Sequence, residues 1–272
     1  MKTPSIVLTI AGSDSSGGAG IQADIKAISA LGSYAASVIT SVTAQNTLGV
    51  QDIHPIPSDM VHQQIKSVMD DLHPEVIKIG MVCNKEIALT IADSVRIYQP
   101  KWVIYDPVMV STSGHKLMTD ETIEIIKQEL IPIATLITPN LHEAHILEAP
   151  TEICEGYNKI HEGEIKKRAD VLGEMYRHSF LVKGGHSTEE DMCDVLYDAE
   201  EERCYIFHAP KIASKNLHGT GCTLSSAIAT YLSQGHPLKE AIAYAKNYIT
   251  RAINAGKDMQ IGKGHGPLWH FV

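Results

Sequence analysis

The chain has 272 residues, of which 44% are hydrophobic and 20% are charged, and its formal net charge is −9 at pH 7. This composition is typical of a globular protein and excludes a disordered or fibrous chain. The acidic balance and the lack of a long run of Lys or Arg argue against a nucleic-acid partner. No apolar stretch reaches the roughly 20 residues of a membrane-spanning helix, so we expect no membrane partner.

The five cysteines, at positions 83, 154, 193, 204 and 222, are an odd number and form no CxxC motif. This pattern argues against a disulfide framework and against a thiolate zinc site. The apolar run of residues 5–11 is too short for a convincing signal peptide and favours a first buried strand. We therefore expect a cytoplasmic protein, and the lack of a linker or an internal repeat predicts a single domain over residues 1–272.

Strand-like apolar runs alternate with amphipathic helical patterns along most of the chain. Strands are predicted at 5–11, 36–43, 76–80, 102–106, 134–138 and 180–183, with helices at 21–32, from 58, around 87–95, at 123–130 and at 163–178. Residues 193–197 and 203–208 alternate as in an edge hairpin, and two further helices follow Gly219 and Pro237. This order predicts an α/β fold with a parallel sheet that helices cover on both faces.

The first glycine-rich stretch, residues 12–20, follows the first strand and leads into a helix. It lacks the Lys of a P-loop, and no Asp or Glu occurs between Asp24 and Asp52, whereas a dinucleotide fingerprint requires one just after the second strand. It offers instead a backbone floor on which a small ligand can lie, with Asp24 one turn into the helix. We expect Asp24 to bind the ligand, and a solvated helix position is the alternative.

A second glycine turn, residues 218–223, opens another amphipathic helix. Glycines at this point let free N–H groups converge at the positive end of the helix dipole, which is the geometry of an anion site. Cys222 lies in the first turn, where the same field favours its thiolate. The alternative is a packing role for Cys222 as a small buried hydrophobic residue.

Ligands of parallel α/β sheets gather at the carboxyl ends of the strands. The residues that follow predicted strands and could line such a site are Gly12, Gln45, Met81, Asp106 and Val108. A polar loop at residues 111–116 is a candidate flap. The sequence therefore predicts one ligand site along this edge of the sheet.

Residues 11–24, 138–143, 183–186, 218–223 and 262–267 carry a resemblance to a known family. Together, and in this order, they resemble the hydroxymethylpyrimidine/phosphomethylpyrimidine kinases of thiamine biosynthesis, which belong to the ribokinase-like superfamily. The resemblance implies a three-layer α/β/α sandwich, the use of ATP with Mg²⁺, and a homodimer. It also implies two successive phosphorylations of 4-amino-5-hydroxymethyl-2-methylpyrimidine, first on the hydroxymethyl group and then on the resulting phosphate.

The same resemblance implies roles for individual residues. These are Gly12, Asp24, Gln45, Met81 and Val108 for the pyrimidine pocket; Asp106, Asn140 and Glu143 for magnesium and its waters; Asp106, Asn140, Lys183 and Thr220 for the nucleotide; and Lys183, Gly219, Gly221 and Cys222 for catalysis. Among the last group, the glycines match the anion hole and Cys222 matches the residue that faces the substrate hydroxyl. Relatives often carry Lys near Thr112 in the flap, whereas this chain has Lys116 close by.

These residue types suit phosphoryl transfer, which depends on positioning and charge stabilisation more than on covalent work by the protein. Mg²⁺ prefers oxygen ligands and keeps much of its water, so Asp106, Asn140 and Glu143 suit indirect binding. Backbone N–H groups of the 219–222 turn would hold the phosphoryl oxygens. Cys222 is either a general base or a positioner of the attacking oxygen, because a nearby phosphate raises the thiol pKa against the helix dipole.

Three other functions remain open on the sequence. A pyridoxal kinase of the same branch shares both glycine turns, although Gln45, residues 183–186 and the 262–267 tail favour the pyrimidine kinase. A thiol-dependent acyl hydrolase needs a His and an orienting partner near Cys222 and works without ATP. A non-catalytic ligand sensor would bind the pyrimidine but release no ADP.

Overall fold

The computed structural model describes residues 3–109, 117–148, 161–185 and 191–272. Its strands are β1 (Ile6–Asp14), β2 (Tyr34–Asn46), β3 (Gly49–Pro55), β4 (Val76–Ile79), β5 (Trp102–Tyr105), β6 (Leu136–Ile137), β7 (Ser179–Lys183), β8 (Asp191–Asp198) and β9 (Arg203–Pro210). Its α-helices are α1 (Gly20–Ala30), α2 (Ser58–Leu72), α3 (Lys85–Tyr98), α4 (Asp120–Ile125), α5 (Leu141–Glu148), α6 (Glu162–Tyr176), α7 (Thr220–Ser233) and α8 (Leu238–Gly256). A π-helical turn (Ile126–Leu130) and a 3₁₀ turn (Ile131–Ile133) extend α4.

The strands form one sheet in the order β3-β2-β1-β4-β5-β6-β7-β8-β9. Neighbours from β2 to β7 pair in parallel, whereas β3, β8 and β9 pair antiparallel at the two edges. The mostly parallel sheet and the edge hairpin predicted from the alternation pattern are both confirmed. The carboxyl ends of β1, β4, β5 and β6 therefore meet along one edge of the sheet, where we expect the ligand.

Two hydrophobic cores lie on opposite faces of this sheet. Successive strand residues point to opposite faces, so Leu8 and Ile10 enter one core and Val7 enters the other. The first core is closed by the helices α2 to α6 and the second by α1, α7 and α8. The three-layer α/β/α sandwich implied by the resemblance is confirmed. None of the described helices combines the length and apolarity that crossing a membrane requires.

The β2–β3 hairpin is longer than the sequence predicts. The strand predicted at 36–43 continues to Asn46 and pairs with β3, a strand that the sequence analysis did not predict. Because β3 is an exposed edge strand with polar residues such as Gln51 and Asp52, it lacks the period-2 apolar pattern of a half-buried strand. Gln45 consequently lies within a strand pair and not in a loop after the strand.

Candidate active site

The turn into α7 lies directly against the glycine stretch that follows β1. Gly219 caps α7 in the left-handed conformation, with φ of 84°. A Cβ atom added there would lie 1.8 Å from the carbonyl oxygen of Gly18, so only glycine fits. The two glycine-rich stretches of the sequence therefore form a single backbone junction at the amino terminus of α7.

Gly221 lies over an ion pair formed by two of the predicted site residues. Lys183 Nζ is 2.7 Å from Asp106 Oδ1, and the Lys183 side chain is 14% exposed. A Cβ atom at position 221 would lie 3.2 Å from Lys183 Nζ and 3.5 Å from Asp106 Oδ2. The structure thus brings an ammonium group, a carboxylate and the first turn of a helix to one point on the sheet edge.

Cys222 is partly exposed beside this pair. Burial raises the pKa of its thiol to about 11; Asp24 and Asp106 act in the same direction, whereas Lys78 and the Gly20 N–H, which donates to the sulfur, act against it. The thiol is therefore protonated at neutral pH. The field of the helix terminus, which favours the thiolate in the sequence analysis, is outweighed by burial and by the two carboxylates.

Asp24 requires a correction to the sequence-based interpretation. Its carboxylate accepts hydrogen bonds from Thr9 Oγ1 at 2.6 Å and Ser226 Oγ at 2.8 Å, and Lys78 Nζ lies 2.9 and 3.0 Å from its two oxygens. The residue is 0% exposed. With three partners, four short contacts and no accessible surface, Asp24 supports the site from beneath and is not placed to contact a substrate. It is not the solvated helix residue of the alternative reading either.

Lys78 is the functional candidate that sequence reasoning missed. Its side chain is 0% exposed in the middle of β4. Burial alone would lower the pKa of Lys78, but the facing Asp24 carboxylate raises it above its usual value, so the residue is a buried cation. The available signal was a lysine inside an otherwise apolar strand, since Lys is almost never fully buried unless it is paired.

Asn140 and Glu143 form a reciprocal cap at the start of α5. Asn140 Oδ1 accepts from the backbone N–H groups of His142 and Glu143, and Glu143 Oε2 accepts from the Asn140 N–H at 2.8 Å. This Asn-x-x-Glu pattern is a capping box, which predicts a helix start that the sequence analysis did not assign. The carboxamide oxygen of Asn140 is thus already engaged, so Asn140 is less suited than Asp106 or Glu143 to bind a metal directly.

Glu143 lies in the same electrostatic environment as Asp106 and Lys183. Burial raises the pKa of its carboxyl to about 7; Lys183 lowers it and Asp106 raises it. Among the described residues, no three His, Cys, Asp or Glu side chains converge on one point as a closed metal cage. Two buried carboxylates at adjacent strand ends nevertheless fit Mg²⁺, which usually binds through one or two carboxylates together with phosphate oxygens and water.

Gly12 and Met81 lie side by side at the ends of β1 and β4. A Cβ atom at Gly12 would lie 2.8 Å from Ser41 Oγ and 3.3 Å from Met81 Sδ. Val108 is partly exposed, and its N–H donates to the Asp106 carbonyl at 2.8 Å. Met81 therefore borders the backbone surface that we expected the glycine stretch to offer a ligand. Val108 lies two residues after Asp106, in the segment that follows β5.

Gln45 reaches toward the turn from the other side. Its Oε1 accepts from Thr43 Oγ1 at 3.0 Å, and its Nε2 lies 3.3 Å from His218 Nε2. The same His218 nitrogen lies 2.8 Å from Asp14 Oδ2. Burial alone would raise the pKa of Asp14, but hydrogen bonds from His218 and from Ser16 hold it well below its usual range. Asp14 and His218 received no role in the sequence analysis, but their contacts join the first glycine stretch and Gln45 to the second glycine turn, which begins at His218.

Some predicted residues are not placed by described contacts at the site. Thr220 is partly exposed, and its N–H donates to the Leu217 carbonyl at 3.3 Å, which leaves its nucleotide role a prediction. The flap at 111–116, with Thr112 and Lys116, lies outside the described residues, as does His186. A cavity of about 580 Å³ adjoins the chain just before the turn, lined by residues 213–215 and 257–260, and it includes none of the predicted site residues.

Comparisons with known proteins agree on one family. The sequence model of a family described as phosphomethylpyrimidine kinase matches residues 14–269. The chain is 43% identical to the hydroxymethylpyrimidine/phosphomethylpyrimidine kinase of Rhizobium meliloti, over 98% of this chain and 97% of that protein. It is 44% identical to a thiamine biosynthesis bifunctional protein of Geobacter sulfurreducens. That match includes 98% of this chain but only 52% of the Geobacter protein. The chain thus spans nearly all of one relative and about half of the other.

The fold also matches solved structures of a second activity. A Bacillus subtilis pyridoxal kinase, solved as an ADP complex, superposes with a TM-score of 0.87 at 32% identity, over 98% of each chain. Backbone similarity alone therefore does not separate the two kinds of vitamin kinase, and the higher sequence identity lies with the pyrimidine kinase.

Proposed function

This chain belongs to the phosphomethylpyrimidine kinase family, and on that premise we propose that it phosphorylates 4-amino-5-hydroxymethyl-2-methylpyrimidine with ATP. The first transfer goes to the hydroxymethyl oxygen and the second to the phosphate that results. One observation carries the proposal: Gly221 lies over the Lys183–Asp106 pair beside Cys222. This arrangement offers backbone donors and a cation where a phosphoryl group would be transferred.

The residues of the chain divide the work of the transfer. Backbone N–H groups of the 219–222 turn bind the phosphoryl oxygens, and Lys183 offsets the charge that they carry. Cys222, with a thiol pKa of about 11, orients the attacking oxygen and does not remove its proton at neutral pH. This role suffices because the transition state of phosphoryl transfer is loose, so little negative charge must develop on the nucleophile before the bond to phosphorus forms.

Asp106 and Glu143 would hold Mg²⁺, with Asn140 donating its free amide N–H groups to water or phosphate. When bound, the ion supplies charge neutralisation on the phosphates of the nucleotide. The support for this assignment is chemical: two buried carboxylates, each with oxygen capacity left over, share one lysine.

The test of the function is an ADP-release assay with the aminopyrimidine, with product masses identifying the monophosphate and the diphosphate. We expect both products with ATP and Mg²⁺ and no turnover in excess chelator. Full turnover in chelator would contradict the magnesium assignment, and pyrimidine binding without ADP release would support a ligand sensor.

A second candidate function, pyridoxal kinase, is favoured by the superposition with the Bacillus subtilis enzyme. Specificity constants for the two alcohols in the same ADP-release assay separate the candidates. We expect the larger constant for the aminopyrimidine. The proposed homodimer rests on the family resemblance, and sedimentation of the purified chain tests it.

Replacement of Cys222 by Ala tests the role of the thiol. We expect turnover to fall by about two orders of magnitude or more, which is the cost of misplacing a reacting atom once the group that orients it is lost. Substrate affinity changes far less because the donors of the turn belong to the backbone. Wild-type turnover in the variant, with an unchanged circular dichroism spectrum, would return Cys222 to a packing role.

A further inference from the structure

The Asp24–Lys78 pair joins four secondary-structure elements beneath the first turns of α7. Asp24 comes from α1, Lys78 from β4, Thr9 from β1 and Ser226 from α7. Both charged residues are 0% exposed. A buried ion pair contributes little net stability compared with apolar residues of similar volume, since desolvation offsets the attraction. Packing alone therefore gives little reason for a lysine at this position.

The position of the pair relative to Cys222 gives a better reason. Ser226 lies one helical turn after Cys222, on the same face of α7, so its hydrogen bond to Asp24 fixes the face that carries the thiol. The groups that act electrostatically on Cys222 include the carboxylates of Asp24 and Asp106, the ammonium groups of Lys78 and Lys183, and the Gly20 N–H. Without Lys78, Lys183 would be the one remaining ammonium group of this set against two carboxylates, at the point where an anion binds.

We propose that Lys78 is a positioning residue of the phosphoryl-transfer site, whose ammonium group, held by Asp24, offsets the carboxylates facing Cys222 and keeps the turn at 219–222 able to accept an anion. The part of this inference that concerns phosphoryl groups rests on the proposed function. The part that concerns charge around Cys222 does not, and it can be measured without ATP or a substrate.

The experiment uses the alkylation rate of Cys222 by iodoacetamide at pH 9, followed by mass spectrometry of the peptide that contains it. The rate reports the thiolate fraction, which changes tenfold for each unit of thiol pKa. Lys78→Met removes the cation and leaves Asp24 unmatched, so we expect alkylation at least about tenfold slower. Asp24→Asn leaves the cation unmatched, and we expect alkylation several-fold faster. The double variant removes both charges and returns the rate close to that of the wild type.

Opposite signs for the two single variants are the decisive result, because a purely structural pair would change both rates in the same direction through loosening of the fold. Lys66→Met, which breaks the exposed Lys66–Asp70 pair on α2, is the matched control and leaves the rate unchanged. Circular dichroism confirms folding of each variant at the assay temperature. If Lys78→Met does not fold, Asp24→Asn and the double variant still test the sign. Equal rates, or single-variant changes of the same sign, would overturn the proposal, whatever the ADP-release assay shows.

Discussion

Two lysine–aspartate pairs support the start of α7, and they differ in how far they are exposed and in how many of their hydrogen-bonding sites are occupied. The inner pair, Lys78–Asp24, is bonded to Ser226 and has 0% exposure on both side chains. The outer pair, Lys183–Asp106, approaches the neighbouring Ser225, and its lysine is 14% exposed. The adjacent helix residues Ser226 and Ser225 therefore contact a fully buried pair and a partly exposed pair, respectively.

The difference between the pairs lies in their unused bonding capacity. Both carboxylate oxygens of Asp24 are fully engaged by Thr9, Lys78 and Ser226. Asp106 Oδ1 is engaged by Lys183 and Thr138, but the Ser225 hydroxyl is 3.5 Å from Oδ2, at the limit of a hydrogen bond. A buried charge that keeps a free lone pair and an accessible partner is placed to bind a ligand, whereas a saturated one is placed to hold the scaffold. We therefore assign chemistry to the outer pair and support to the inner one.

The largest effect is expected when the outer pair is broken. Lys183→Met removes the cation beside Gly221, and we expect kcat/KM for the aminopyrimidine to fall by about three orders of magnitude, as when a phosphate-binding cation is removed from other phosphoryl-transfer enzymes. The measurement is ADP release, with the unfolding midpoint as its control. A loss of stability large enough to explain the lost activity would place Lys183 with the scaffold.

Breaking the inner pair is expected to lower the stability of the protein. Lys78→Met leaves Asp24 buried without its counter-charge, which reduces the free energy of unfolding by about 3–5 kcal/mol. The double variant Lys78→Met/Asp24→Asn recovers most of this loss because no unpaired charge remains. Urea unfolding of the wild type and the three variants checks the pattern. An equal loss in the single and double variants would mean that the packing of the lysine stem, and not its charge, stabilises this junction.

A smaller effect is expected from Glu143, which shares Lys183 with Asp106. The raised pKa of about 7 arises chiefly from burial. Between the ordinary carboxyl pKa near 4.5 and about 7, the folded protein holds a proton that the unfolded chain has released. The free energy of unfolding in chelator therefore falls as pH rises through this window, by up to about 1.4 kcal/mol per pH unit. Glu143→Gln removes this contribution, and an identical pH slope in the variant would contradict the assignment.

The sequence predicted the fold well because the parallel strands are continuous apolar runs buried on both faces. The sequence analysis did not predict β3, because this edge strand is exposed and polar. It also did not predict α5, although Asn140 and Glu143 form a capping box at the start of that helix. The elements that were not predicted are therefore a strand without an apolar pattern and a helix whose capping residues had been assigned to magnesium binding instead.

The candidate site was predictable to the extent that its chemistry lies in backbone turns. Gly219 and Gly221 stand out in the sequence; in the structure backbone contact excludes a side chain at Gly219, and Gly221 lies against Lys183 and Asp106. Asp24 was misinterpreted because its partner, Lys78, lies 54 residues away and no local pattern joins them. Asp24 and Asp106 are both buried and both paired with a lysine, so what separates them is the bonding capacity that their other partners leave unused. Those partners are brought together only in the assembled sheet.

Replacing Gln45 is expected to give the smallest effect on activity. It is also the sharpest test of the distinction between groups whose hydrogen-bonding capacity is fully used and groups that keep some of it. Gln45 is partly exposed like Lys183 of the outer pair, yet its amide already has Thr43 on one side and His218 on the other. An aminopyrimidine presents an amine donor beside a ring-nitrogen acceptor, and a carboxamide is complementary to both. We therefore expect Gln45 to exchange its contacts for the ring when the pyrimidine binds.

Gln45→Leu keeps similar bulk and leaves that edge of the ring unpaired, at about 1–3 kcal/mol for each group. We expect kcat/KM for the aminopyrimidine to fall by about tenfold or more, and that for pyridoxal to fall much less, because pyridoxal lacks this donor–acceptor edge. The measurement is the ratio of the two specificity constants in the wild type and in the variant, with His218→Ala as a comparison that removes one protein contact and keeps the carboxamide. If Gln45→Leu leaves the ratio unchanged, the amide is a saturated group like Asp24, and it belongs to the β2–β3 scaffold and not to substrate recognition.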